Sequence, residues 1–189
     1  RERFGFSTFS SYLDAVEAGT DNEVNARFID LVTTHYTYFL RESRQFDFLR
    51  TTAFPELEAS RPRRTWNILC AGCSTGEECY TTSMIAEDYG RGRNLPPVRI
   101  TGIDISGKAI EKASRATYQP AHVEKVPPRW LSSYFTHNDG NYTVTGPVRR
   151  RVTFAQANLN DPDALRRRYD LITCRNVIIY FDRETREKV

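Results

Sequence analysis

Three observations predict an α/β fold with a parallel sheet and a helical attachment ahead of it. Residues 1–59 carry helical spacing of apolar residues, and a Pro- and Arg-rich linker follows at residues 60–65. Beyond the linker, short continuous apolar runs alternate with helical patterns, the signature of strands buried on both faces and joined by right-handed crossovers.

In the first segment Phe28, Leu31, Val32, His35 and Phe39 recur at spacings of three and four, which predicts one amphipathic helical stripe. Asp21 or Asn22 caps it. The second segment, 60–189, opens with the apolar run "WNILCAG", followed by the helix "EECYTTSMIAEDYG", closed by Gly90. "VRITGIDI" is a second strand, "GKAIEKASRATY" a helix, "VTFAQANL" a third strand and "DPDALRRRY" a short helix. "YDLITCRNVIIYF" supplies a fourth strand and its exit turn. Residues 129–154 break the rhythm: the turn "NDGN" and the alternating "YTVT" predict a small antiparallel insertion, with a hairpin around Tyr142–Val148.

Of 189 residues, 39% are hydrophobic and 27% charged, a folded rather than disordered composition. No apolar run approaches the ~20 residues that cross a bilayer, and no signal peptide opens the chain. It begins at "RERFGFS" and stops at "RETREKV", as a trimmed fragment would. The net charge of +3 demands no nucleic acid, but arginines cluster at 61–64, 91–93, 149–151 and 166–168. Such runs read as solvated faces or as docking surfaces for an acidic partner. Cys70, Cys73, Cys79 and Cys174 lack the second pair or histidines of a zinc site, and read as reduced packing residues.

The stretch "AGCSTGEE" lies where open α/β sheets bind ligands, beyond the first strand. Gly72 and Gly76 let a ligand approach the backbone, yet the Lys-Ser/Thr of a phosphate-gripping loop is missing. Glu77 and Glu78 occupy the helix N-terminus, where a dinucleotide would place its pyrophosphate. They suit instead a cofactor with positive charge, and S-adenosylmethionine carries a sulfonium and an ammonium. Asp104, at the end of "TGIDIS", stands where an acid accepts both ribose hydroxyls of an adenosine cofactor.

Four segments then occur in order: "TYFLRESRQFDFL", "AGCSTGEECYTTSM", "GIDISGKAIEKASRATY" and "YDLITCRNVIIYFD". Together they resemble the motifs of the CheR family, the chemotaxis-receptor glutamate O-methyltransferases. The resemblance implies a Rossmann-like class I S-adenosylmethionine methyltransferase domain, partly truncated at the C-terminus. It also implies an N-terminal helical segment and a small antiparallel β insertion. Thr37 and Arg41 are expected to contact the cofactor, Arg41 also lying near the reacting groups. Glu78 would hold its polar end, with Glu77 as the alternative, and Asp104 the ribose. Asn158 and Leu159 would flank the adenine, Arg175 and Asn176 would lie beside the methionine part, and Tyr180 would point toward the transferable methyl. His35 stands where many members have Asn, Cys79 replaces a Pro, and Leu40 replaces a Phe.

The implied reaction moves the methyl of S-adenosyl-L-methionine to receptor glutamates in the cytoplasm, leaving S-adenosyl-L-homocysteine. The implied partners are receptor helices and, at the β insertion near Arg149, Arg150 and Arg151, a receptor tail. Neither nucleic acid nor membrane insertion is expected. The alternative is a silent or divergent cofactor-binding regulator, or a methyltransferase for another acceptor. Retention of Arg41 and Tyr180 argues against silence, and the two acids argue against an NAD-binding dehydrogenase.

Overall fold

The computed structural model describes residues 5–19, 21–161 and 167–188. Helix α1 (Phe9–Ala18) starts from a reciprocal cap between Thr8 and Ser11. Helix α2 (Asn22–Val32) starts from Asp21, whose carboxylate accepts the N–H groups of Glu23 and Val24.

The predicted stripe does not continue. The helix ends at Val32, Thr33 is extended, and its hydroxyl donates to the Ile29 carbonyl at 2.7 Å. Residues 33–42 then run as irregular chain, in which Leu40 (φ 61°) and Glu42 (φ 56°) take a left-handed conformation that no α-helix accommodates. Of the residues expected on one face, Phe39 is fully buried while Leu31 and Val32 are largely exposed.

Helix α3 (Ser43–Phe48), a π-helical stretch (Leu49–Ala53) and helix α4 (Phe54–Ser60) run on without a break. Strand β1 (Trp66–Ala71), helix α5 (Glu77–Gly90), strand β2 (Val98–Asp104) and helix α6 (Gly107–Arg115) follow. Next come β3 (Thr117–Tyr118), α7 (Pro120–Val123), α8 (Pro128–Tyr134), β4 (Phe135–Asn138), β5 (Asn141–Val144) and α9 (Gly146–Arg150). Strands β6 (Val152–Gln156) and β7 (Leu171–Cys174), a 3-10 turn (Ile178–Tyr180) and helix α10 (Arg183–Lys188) complete the order. The short helix expected over residues 161–169 falls largely on 162–166, outside the described residues.

Strands β6, β2, β1 and β7 form a parallel sheet in that order, with Ile68 paired between Ile100 and Leu171. Central β1 is buried on both faces, which is why its sequence is an unbroken apolar run. Trp66, Ile68 and Cys70 belong to the main core with Phe54, Tyr80, Met84 and Ile100. Leu69 and Ala71 pack on the other face with Ile103, Leu159 and Cys174. Burying each large side chain of this set contributes about 1.5–3 kcal/mol.

Cys79 has a packing role. A Cβ on Gly102 would lie 2.7 Å from the Cys79 sulfur and 2.7 Å from the Phe154 ring, so α5 rests directly on the backbone of β2. A small apolar side chain on the helix and none on the strand permit that approach.

A second, antiparallel sheet has the order β3-β5-β4. Its hairpin turns at Asp139 and Gly140, both at positive φ, as a two-residue hairpin loop demands. It differs from the sequence reading in two ways. Residues 128–134 are helical, and the third strand comes from Thr117–Tyr118, ahead of the expected insertion. The hairpin itself spans 135–144, and Val148 sits buried in α9. Arg149 donates to the Ser114 carbonyl and Arg151 pairs with Glu87 of α5, so these two arginines are turned onto the domain.

Candidate functional site

All four parallel strands end at one edge, and their exits line one cavity of about 310 Å³. Gly72 follows β1, Asp104 closes β2, Ala157, Asn158 and Leu159 follow β6, and Arg175 and Asn176 follow β7. This is the carboxyl-end crevice where open α/β sheets bind ligands. The irregular segment after α2 forms the facing wall, with His35, Thr37 and Arg41 on it. Tyr180 also lines the cavity while remaining largely exposed.

Glu78, in the first turn of α5, lines the cavity and is the most elaborately held of these residues. Its carboxylate accepts from the Thr173 hydroxyl at 2.5 Å and from Arg175 Nη1 at 3.2 Å. Burial lifts its carboxyl above the ordinary value, with the Arg175 charge and the Thr173 hydroxyl pulling the other way. Arg175 in turn donates to the Arg41 carbonyl, stacks 4.5 Å over the Phe46 ring, and keeps a buried Nε without a partner among the described residues.

Glu77 lies elsewhere. It is absent from the cavity wall and fully buried, its two oxygens within 2.7 Å of the Thr75 hydroxyl and of His122 Nδ1. The alternation of neighbours on a helix explains the split: adjacent residues face about 100° apart, so only one of two consecutive acids faces the cavity. His122 was not visible in the sequence as a partner for that acid. Its proton affinity is raised chiefly by the Glu77 hydrogen bond, burial opposing. A histidine with a raised folded-state pKa stabilises the fold fully below its unfolded value of about 6.5, and that contribution disappears as pH climbs through the raised value. The gap in urea midpoint between the protein and His122→Gln is therefore expected to narrow as pH rises past that point. A gap that is constant from acid to alkaline pH would sever the link to this pair.

Asp104 is aimed by its own loop. One oxygen accepts the Ser74 N–H at 2.8 Å and the other the Ser106 N–H at 3.0 Å, while the Ser106 hydroxyl reaches Asp30 of α2 at 2.6 Å. Opposite it, Gly72 has φ 69°, and a Cβ there would lie 2.2 Å from Val177 Cγ2. His35 places Nε2 3.0 Å from the Thr33 hydroxyl.

Comparison with known sequences decides the family. The family described as "CheR methyltransferase, SAM binding domain" matches residues 35–189. The chain belongs to this CheR methyltransferase family. A chemotaxis protein methyltransferase of Borreliella burgdorferi is 33% identical over 98% of the chain and 68% of its own length. One of Vibrio parahaemolyticus is 34% identical over 99% and 69%. A probable biofilm formation methyltransferase, WspC of Pseudomonas aeruginosa, is 34% identical over 90% of the chain and 40% of that protein. The family match begins at residue 35, within the irregular segment that walls the cavity.

CheR domains bind S-adenosylmethionine, and the donor set here fits it. Two carboxylates, Glu78 and Asp104, line the cavity together with the apolar Ile105, Leu159 and Val177 and with Arg41 and Arg175, and the Arg175 Nε has no partner among the described residues. The carboxylates suit cationic groups and a diol, and the apolar side chains suit a flat ring. Of the thirteen residues read from the sequence, eleven line the cavity; Glu77 does not, and neither does Gly76, which lies against Ala113 and Phe154. Sequence reading passed over Thr173, Phe46 and Ser74, whose only signal was that they lie inside the recognised motifs. Asp104→Ala is expected to weaken binding of S-adenosylhomocysteine by roughly 1–3 kcal/mol, the scale of hydrogen bonds to a charged acceptor. Calorimetry showing unchanged affinity would remove Asp104 from the site.

Proposed function

We propose that this chain methylates glutamate side chains of methyl-accepting chemotaxis receptors, forming methyl esters on their cytoplasmic helices. The observation that carries the proposal is the kinship, across nearly the whole chain, with proteins named chemotaxis protein methyltransferases, joined to a cavity suited to a cationic cofactor. When bound, S-adenosylmethionine supplies an electrophilic methyl group.

The chain's own residues then have three tasks. Asp104 accepts from the ribose, with Asn158 and Leu159 beside the base. Glu78 accepts from the ammonium, with Thr37, His35, Gly72, Arg175 and Asn176 enclosing the amino-acid part. Arg41 and Tyr180 orient the incoming carboxylate. A glutamate of pKa about 4.3 is ionised at neutral pH, so no general base has to act on it. What it needs is aim and loss of water, and positioning of this kind is worth up to ~7–11 kcal/mol in favourable systems. Guanidinium pairs with carboxylate through two parallel hydrogen bonds, which suits Arg41 to that work. In this reading residues 60–189 are the methyltransferase domain, residues 1–59 supply the wall that carries Arg41, and the small antiparallel sheet meets a receptor tail.

The test is transfer of labelled methyl from S-adenosylmethionine to membranes bearing chemoreceptors. Label released by mild base, as from a carboxyl ester, is the expected result. Base-stable label, or none, overturns the proposal.

A further inference from the structure

Arg175 stands between two acids. Its Nη1 is 3.2 Å from Glu78, and its Nη2 is 3.6 Å from Glu42 while donating to the Arg41 carbonyl. Glu42 is not part of the cavity wall. One of its oxygens accepts from Asn176 Nδ2 at 2.9 Å and the other from Gln45 Nε2 at 2.8 Å. It therefore touches both residues that β7 sends into the cavity.

The backbone at this corner is costly. Leu40, Glu42 and Asn176 all lie in the left-handed region without being glycine. Leu40 and Glu42, unlike an asparagine, adopt this conformation only under strain, and strained residues persist where the surroundings over-determine them, most often at working sites. Here the strain places the Glu42 carboxylate beside Asn176, 134 residues along the chain, and beside its neighbour Arg175.

We propose that Glu42 is a positioning residue for cofactor binding: it holds Arg175 as a second counter-ion, so that Glu78 can turn its charge to the cofactor's ammonium. The inference rests on Glu78 being the ammonium contact. Without Glu42, the guanidinium has one carboxylate left, and Glu78 is committed to it. With Glu42, the guanidinium keeps a partner when Glu78 engages a second cation. Of the two carboxylates Glu78 lies the nearer to Arg175, at 3.2 Å against 3.6 Å. The neighbouring charges agree: Arg175 and Arg41 both favour the ionised form of Glu42, after its hydrogen bond from Asn176.

The experiment uses two ligands that differ only at this end. S-adenosylhomocysteine carries the ammonium and carboxylate, whereas 5′-methylthioadenosine has the same adenosine and sulfur without either. Glu42→Gln keeps the shape and a hydrogen-bond acceptor while removing the charge. Calorimetry is expected to show about a tenfold loss of affinity for S-adenosylhomocysteine, the scale of one charge-assisted contact. Affinity for 5′-methylthioadenosine should stay within about twofold, well inside that tenfold scale. Equal losses for both ligands would mean a merely structural role, and unchanged affinity for both would mean none; either overturns the inference. Glu78→Gln separates this from the reading beneath it. If that variant loses S-adenosylhomocysteine selectively and Glu42→Gln does not, the role of Glu42 alone falls. If Glu78→Gln binds both ligands normally, the ammonium assignment falls and the inference with it.

Discussion

Arg175→Met is expected to destabilise the protein by about 3–5 kcal/mol, the usual cost of removing one member of a buried ion pair. The side chains of Arg175 and Glu78 are only 9% and 16% exposed, so Glu78 would be left as a buried acid with the Thr173 hydroxyl as its remaining side-chain partner among the described residues. The substitution also removes the guanidinium from the Phe46 ring and from the Arg41 carbonyl, loosening the wall from the sheet. Urea unfolding measures the loss. The double variant Arg175→Met with Glu78→Gln should recover much of it, because the stranded charge and not the lost contact is the larger cost. A single variant within about 1 kcal/mol of the parent, the range of an exposed pair, would show that the pair is effectively solvated.

Gly72→Ala should combine a backbone and a steric penalty. At φ 69° an L side chain costs roughly 1–2 kcal/mol, and forcing a methyl into Val177 adds about 1–3 kcal/mol of overpacking. Relief by shifting Val177 would disturb Arg175 and Asn176, its immediate neighbours in the cavity wall, so S-adenosylhomocysteine binding should fall together with the urea midpoint. Adding Val177→Ala should return the steric part and leave the backbone part. A single variant that folds and binds normally would mean that the β1 exit is free to move at no cost.

The parts of this architecture that were legible in the sequence are those specified by neighbours. Apolar runs announce β1 and β2 because a doubly buried strand needs no polar face. Asp104 could be found because it closes a strand that is itself recognisable, whereas Arg175 came from the resemblance its motif carries. The turn at Asp139 and Gly140 carries its own conformational signal. The failures belong to contacts across long separations. His35 and Phe39 fit a helical spacing, yet residues 33–42 leave the helix and are held to the Arg175 corner by contacts far along the chain. Nothing near Glu77 says that His122, 45 residues on, will claim it. The third strand of the small sheet is two residues long, too short for any periodicity, and exists only because Val144 and its neighbours pair with it.

The contact of Cys79 on Gly102 has a kinetic corollary. Only a thiolate attacks a maleimide, and burial pushes the Cys79 thiol well above its ordinary pKa. Cys70 and Cys73 are buried beside the same strand exit. Cys73 borders the cavity, but reagent reaches the fully buried Cys70 and Cys79 when α5 lifts from the sheet, and the rate of their modification times that opening event. The native thiols make the central layer its own clock, readable by mass spectrometry with no cysteine introduced.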